Sequence, residues 1–233
     1  MKETLEILDY SVYGNAIDAD SDRLIAAAAS AAGLSPVIRS ISPAKPVTAG
    51  AERVWLRYDL RSRADLAWIV GVARDLKRQG RRVFPDALSI LIAGDKWESH
   101  HALLQAGVPT VETHLGLFDG MCRWPVLLKA RVSWGGMSNR LVHDADAWRT
   151  LAPAPGEDEI VQPYIAHRRT WIVPVAAGRE FLSIEEGREP GHDGDARVLP
   201  LPPGGAGLGA AAIAAVGLPA GTVDLIEAPD GPV

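Results

Sequence analysis

The stretch from Val54 to Phe84 limits what this chain can become more than any other. Leu66, Ile69, Val70, Ala73 and Leu76 recur at helical spacing and give a helix one apolar side. Lys77 and Arg78 suit its negative C-terminal end, and Gly80 can take the left-handed conformation that stops it. Two short runs flank the helix, Val54–Tyr58 and Arg82–Phe84, with the β-branched and aromatic content of strands. Leu5–Val12 and Pro36–Ser40 repeat the pattern upstream, with a turn at Gly14-Asn15. Between them lies an Ala-rich helix, which Asp20-Ser21-Asp22 are expected to cap and Gly33 to end. Residues 1–92 therefore read as a small α/β domain with a mostly parallel sheet.

The rest of the chain reads differently. Asp95 to Ala106 is expected to be a helix closed by Gly107, with Asp95 and Glu98 spaced as a capping box. Val108–Thr113 reads as an edge strand broken by Pro109. Pro125–Ala130 and Arg140–His143 flank a small-residue loop, Ser133–Ser138, and Asp144 or Asp146 caps a short helix. Glu159–Ile165, Thr170–Val175, Glu180–Ile184 and Thr222–Glu227 follow as strands, with a helix at Gly204–Gly217. Runs of strands with segregated helices indicate an α+β body, so the whole chain is expected to be α/β plus α+β.

Composition narrows the function. The chain has 24 Lys and Arg against 29 Asp and Glu, a net charge of −5, which disfavours coating of nucleic acid. One cysteine, Cys122, precludes an internal disulfide or a thiolate zinc cluster. Val198 to Val223 is uncharged, but its prolines, glycines and alanines fit a soluble core better than a membrane span. With no apolar signal segment after Met1-Lys2-Glu3, the expectation is a cytoplasmic protein without membrane partners. Zinc spacing, a P-loop and a nucleophile elbow are all absent from the sequence.

Four places can carry chemistry. Lys129 precedes the Ser133–Ser138 loop, where small residues let backbone amides approach a phosphate; the alternative is a hairpin turn beside a solvated lysine. Lys96 follows Asp95 at a helix start, where a cation opposes the helix dipole unless a phosphate is present; the alternative is again a lysine in solvent. Gln162-Pro163-Tyr164-Ile165 interrupts a strand with proline and leaves main-chain groups that can read a planar base, or forms an ordinary edge. Asp224 sits in an otherwise apolar strand, which points to a metal ligand or to an ion pair with Arg169 or Arg197.

Taken in order, these signals resemble the ATP-grasp superfamily, in particular its peptide and ribosomal-protein glutamate ligases. The resemblance runs over about residues 54–233: Gly94-Asp95-Lys96, the helix end Leu103–Thr110, PVLLKA with its loop, IVQPYI, Arg169, and GTVDLIEAPDGPV. It implies an ATP-grasp fold with an N-terminal Rossmann-like (pre-ATP-grasp) domain at 1–92. One ATP-grasp subdomain would follow at 93–157 and a second at 158–233, with ATP between them. It implies that Lys96 and Lys129 hold phosphates and that Ser133, Gly136 and Ser138 belong to the flap, two serines standing where glycines are usual. Gln162, Tyr164 and Ile165 would bind adenine. Arg169 and Lys129 would act at the reacting phosphoryl group, and Asp224 would bind Mg²⁺.

Such enzymes activate a carboxylate as an acyl phosphate, which an amine then attacks. Small-molecule or peptide carboxylates and amines are the implied partners, and the oligomeric state stays open, a homo-oligomer included. The family's Glu-x-Asn metal pair would follow the segment matching Asp230–Val233, so the metal site is expected to be incomplete. His167 and Leu199 replace an acidic and a polar residue usual in the family. A second reading follows: a non-catalytic nucleotide- or partner-binding protein on the same fold.

Overall fold

The computed structural model describes residues 2–10, 16–116, 123–133, 138–151, 155–166, 170–186, 197–228 and 231–233. The chain divides into two compact units, Met1–Gly94 with Val132–Met137, and Asp95–Arg131 with Ser138–Val233.

The first unit runs β1 (Thr4–Tyr10), α1 (Ala16–Ala31), β2 (Ser35–Ser40), β3 (Arg53–Tyr58), α2 (Arg63–Arg78), β4 (Arg82–Phe84) and α3 (Ala87–Gly94). Its four strands are all parallel, in the order β2-β1-β3-β4. Ser62 caps α2 by accepting the Asp65 amide at 3.2 Å, and Gly80 follows the helix at φ +80°. Leu8, Val54 and Leu56 from the sheet pack against Leu66, Ile69, Val70, Ala73 and Leu76 of α2. Ile90 of α3 and Val132 complete this core. Glu6 on β1 is 6% exposed and fully engaged, accepting from Arg39 Nη2 at 2.8 Å and from the Gly50 and Ala51 amides at 2.7 and 3.1 Å. Burial alone would raise its pKa, but these donors bring it below the usual carboxylate value.

One reading of this half needs correction, and one helix was not foreseen. Asp20, Ser21 and Asp22 lie inside α1, which starts at Ala16, so they do not cap it. Segment 87–94 forms α3, which has no amphipathic period because it is apolar nearly all round. Asp86 starts it by accepting the Leu88 and Ser89 amides at 3.0 and 2.9 Å.

The second unit begins with α4 (Lys96–Gln105), β5 (His114–Leu115), β6 (Val126–Ala130), β7 (Arg140–Val142), α5 (Ala145–Arg149) and β8 (Glu159–Pro163). It continues with β9 (Thr170–Ala176), β10 (Arg179–Glu180), β11 (Ile184–Glu186), β12 (Arg197–Val198), α6 (Leu208–Ala215), β13 (Ala220–Ala228) and β14 (Gly231–Pro232). One antiparallel sheet has the order β5-β8-β6-β7. The other runs β12-β11-β9-β13-β14, with β10 also on β9, and is antiparallel throughout.

Here too the structure departs from expectation. Val108–Thr113 is no strand: Pro109 lacks a donor, and only His114-Leu115 joins the ladder. The expected strand Glu180–Ile184 is split into β10 and β11: between them the Phe181 amide still donates to the Pro174 carbonyl at 3.0 Å, and Ser183 Oγ donates to the Leu199 carbonyl. The helix expected at Gly204–Gly217 is shorter and starts behind Gly207, whose φ is +85°. Gly207 offers no side-chain cap, and Glu180 of β10 replaces one, accepting the Gly207 and Ala210 amides at 2.9 and 3.1 Å. Gly209 lets α6 lie close on β9, since a Cβ there would stand 3.0 Å from Val173 Cγ1. Among the described residues no helix is long and apolar enough to cross a membrane.

Candidate active site

The start of α4 and the end of β6 meet within the second unit. Asp95 caps α4, its carboxylate accepting the Trp97 amide at 2.9 Å. Arg131, just past β6, grips the same carboxylate: Nε stands 3.1 Å from each oxygen and Nη2 2.7 Å from Oδ2. Both side chains are buried, Arg131 12% exposed and Asp95 6%. Glu98 Oε1 adds a second carboxylate 3.6 Å from Arg131 Nη2. The Arg131 main-chain amide donates to the Asp158 carbonyl at 2.9 Å, which fixes the strand end.

Lys96 is tied to this strand end twice. Its amide donates to the Arg131 carbonyl at 2.9 Å, and its Nζ donates to the Ala130 carbonyl at 3.2 Å. Lys129 is the residue before Ala130. Leu128 is buried, and alternation along β6 turns Lys129 to the opposite face. Burial, and then the neighbouring Lys129 ammonium, bring the Lys96 pKa from 10.5 to about 8, with Asp95 offsetting part of the effect. The two lysines that the sequence singled out, 33 residues apart (129 − 96), therefore act on one another electrostatically. Both lysines are half-buried. Two cations held together with partial burial suit a polyanion, because its charge removes their repulsion.

Ser138 Oγ accepts the Ala130 amide at 3.3 Å, closing the base of the β6–β7 hairpin. Ser133 is half-buried and groups with the first unit. Gly136, Trp134, His167 and Arg169 lie outside the described residues.

At the end of β8, Gln162 Nε2 donates to Thr113 Oγ1 at 2.9 Å, and that hydroxyl donates to the Val111 carbonyl at 2.8 Å. The Tyr164 amide, expected to be open, donates to the Pro125 carbonyl at 2.9 Å, so the sheet already uses it. Pro163 and Ile165 line a cleft of about 860 Å³, together with Thr110, Glu112, His114 and Arg123. Neither lysine lines it.

Asp224 on β13 is exposed, opposite Ile172 and next to buried Leu225. The strand is half-buried rather than buried on both faces, so the acid is under no burial constraint. Arg197 lies on β12, three strands from β13 in the sheet order. Among the described residues no group of three His, Cys, Asp or Glu is arranged to hold a metal. What the described residues bring together is a pair of half-buried cations, Lys96 and Lys129, rather than a cluster of metal-ligating side chains. Arg57, at the end of β3, pairs with Asp22 and lies 3.7 Å from Asp9. Arg131 went unremarked in the sequence, and its position two residues after Lys129 was the available signal.

No protein-family model and no curated protein matches the chain. Solved structures do. The RimK domain protein ATP-grasp from Sphaerobacter thermophilus matches at TM-score 0.72 and 22% identity, over 98% of this chain and 88% of that one. The D-alanine–D-alanine ligase from Bacillus anthracis complexed with ATP matches at 0.69 and 15%, over 99% and 84%. The D-cycloserine synthetase DcsG matches at 0.71 and 18%, over 98% and 89%. The chain has the fold of the ATP-grasp superfamily, as its motif order implied.

Proposed function

We propose that this protein is an ATP-dependent carboxylate–amine ligase. The observation that carries the reading is the bond from Lys96 Nζ to the carbonyl of Ala130, the residue after Lys129, on a chain with the ATP-grasp fold. Both lysines would hold phosphate oxygens, and Lys129, with Arg169, would offset charge on the transferring group. Ser133, Gly136 and Ser138 would cover the phosphates, and Gln162, Tyr164 and Ile165 would place the base. ATP when bound supplies an electrophilic γ-phosphoryl group; a carboxylate attacks it, ADP leaves, and an amine displaces phosphate from the acyl phosphate. The acceptors would be small-molecule or peptide carboxylates and amines. Asp224 would contribute one carboxylate to Mg²⁺.

A second reading, a nucleotide-binding protein without turnover, is favoured by the poverty of metal donors among the described residues. One experiment separates the two. ADP and phosphate are measured after incubation with ATP, Mg²⁺ and pools of carboxylates and amines. Release that requires both a carboxylate and an amine, and that Lys129→Ala abolishes, supports the ligase. Saturable ATP binding without release under any pool supports the second reading, and absence of ATP binding removes both.

A further inference from the structure

We propose that the Asp95–Arg131 pair is a positioning device that orients Lys96 toward its anionic ligand and keeps the adjacent carboxylate from neutralising it. The purpose rests on the nucleotide reading above; the geometry does not.

A helix cap alone would not need this pair. Asp95 already satisfies the Trp97 amide, and an asparagine would cap as well. Burying a guanidinium and a carboxylate costs desolvation that a neutral cap avoids. The structure shows what the arrangement achieves. Arg131 contacts both Asp95 oxygens, and the carbonyls of Arg131 and Ala130 receive both ends of Lys96. An acid immediately before a half-buried lysine would otherwise be its natural counter-ion. Here that acid is directed to Arg131, and the lysine retains a cationic neighbour. Among the described residues, the ionisable groups around Lys96 include Asp95 and Glu98 at the start of α4 and Lys129 and Arg131 at the end of β6. Helix α6, which packs on α4, carries no ionisable residue.

The test is the pH dependence of Lys96 acetylation by acetic anhydride, followed by peptide mass spectrometry. Asp95→Asn keeps the cap but leaves Arg131 uncompensated, so Lys96 should titrate lower than in the wild type. Arg131→Met removes a cation and frees the Asp95 carboxylate for Lys96, so it should titrate higher. Opposite shifts, with the double variant between them, are the expected result. Two upward shifts toward 10.5 would mean simple loosening, and no shift would mean no coupling; either overturns the proposal. Should Arg131→Met fail to fold, Arg131→Lys keeps the charge without the fork, and a smaller upward shift is expected.

A second measurement addresses purpose. Both single variants should bind ATP at least tenfold more weakly while adenosine affinity is unchanged. Equal losses for both ligands, or none for ATP, would overturn the positioning role. A wild type that binds no ATP would end the nucleotide reading, and the acetylation profile would still decide whether the pair controls Lys96.

Discussion

Lys96 illustrates how a side chain can cost stability where it stands. Its folded pKa of about 8 lies below the ordinary 10.5. Between those values the unfolded chain binds more protons, so this group makes stability climb as pH rises from about 8 to 10.5. Below pH 8 the full cost of the charged, partly buried lysine is present. Lys96→Met should therefore raise the melting temperature at pH 7, by about 2–4 °C if relief is about 1 kcal/mol, and the gain should fade by pH 10. A lower melting temperature at pH 7 would show that the contact with Ala130 outweighs the repulsion. Both lysines were legible in the sequence, one from its odd place at a helix start and the other from the loop after it. Arg131 was not, because its partner is 36 positions away and nothing local demands an ion pair.

At the level of elements, the sequence was clear where an element carries its own signals. Helix α2 has a cap, an apolar stripe and a glycine stop, and it formed where expected. It was opaque where an element borrows from elsewhere. Helix α6 has glycine at its N-cap and takes its acceptor from Glu180, 27 residues upstream. Likewise, residues 109–113 look like strand by composition, yet Thr113 is held by its hydroxyl rather than by a ladder. Glu180→Ala should leave two helix-start amides without their acceptor and destabilise the chain by about 1–2 kcal/mol, measured by urea unfolding. Glu180→Gln retains an acceptor and should recover roughly half of that. Equal losses for the two variants would show that the charge, not the acceptor, matters.

For the whole molecule, the change from parallel alternation to antiparallel strands was visible in the spacing of apolar runs. The ordering of motifs then pointed to the ATP-grasp fold that the solved structures match. Hidden from any linear reading was the return of Val132, 3% exposed, to the core of the first unit. That single return governs how the protein can be cut. A fragment ending at Gly94 would lack a residue of its own core. A fragment of residues 1–94 should therefore unfold in milder urea than the same unit within the whole chain. Val132→Ala in the whole chain should cost about 2 kcal/mol by urea unfolding. An unchanged midpoint would show that Val132 adds nothing to this core. The backbone is thus stitched rather than merely joined, and whoever seeks to prepare either half alone must carry the stitch along.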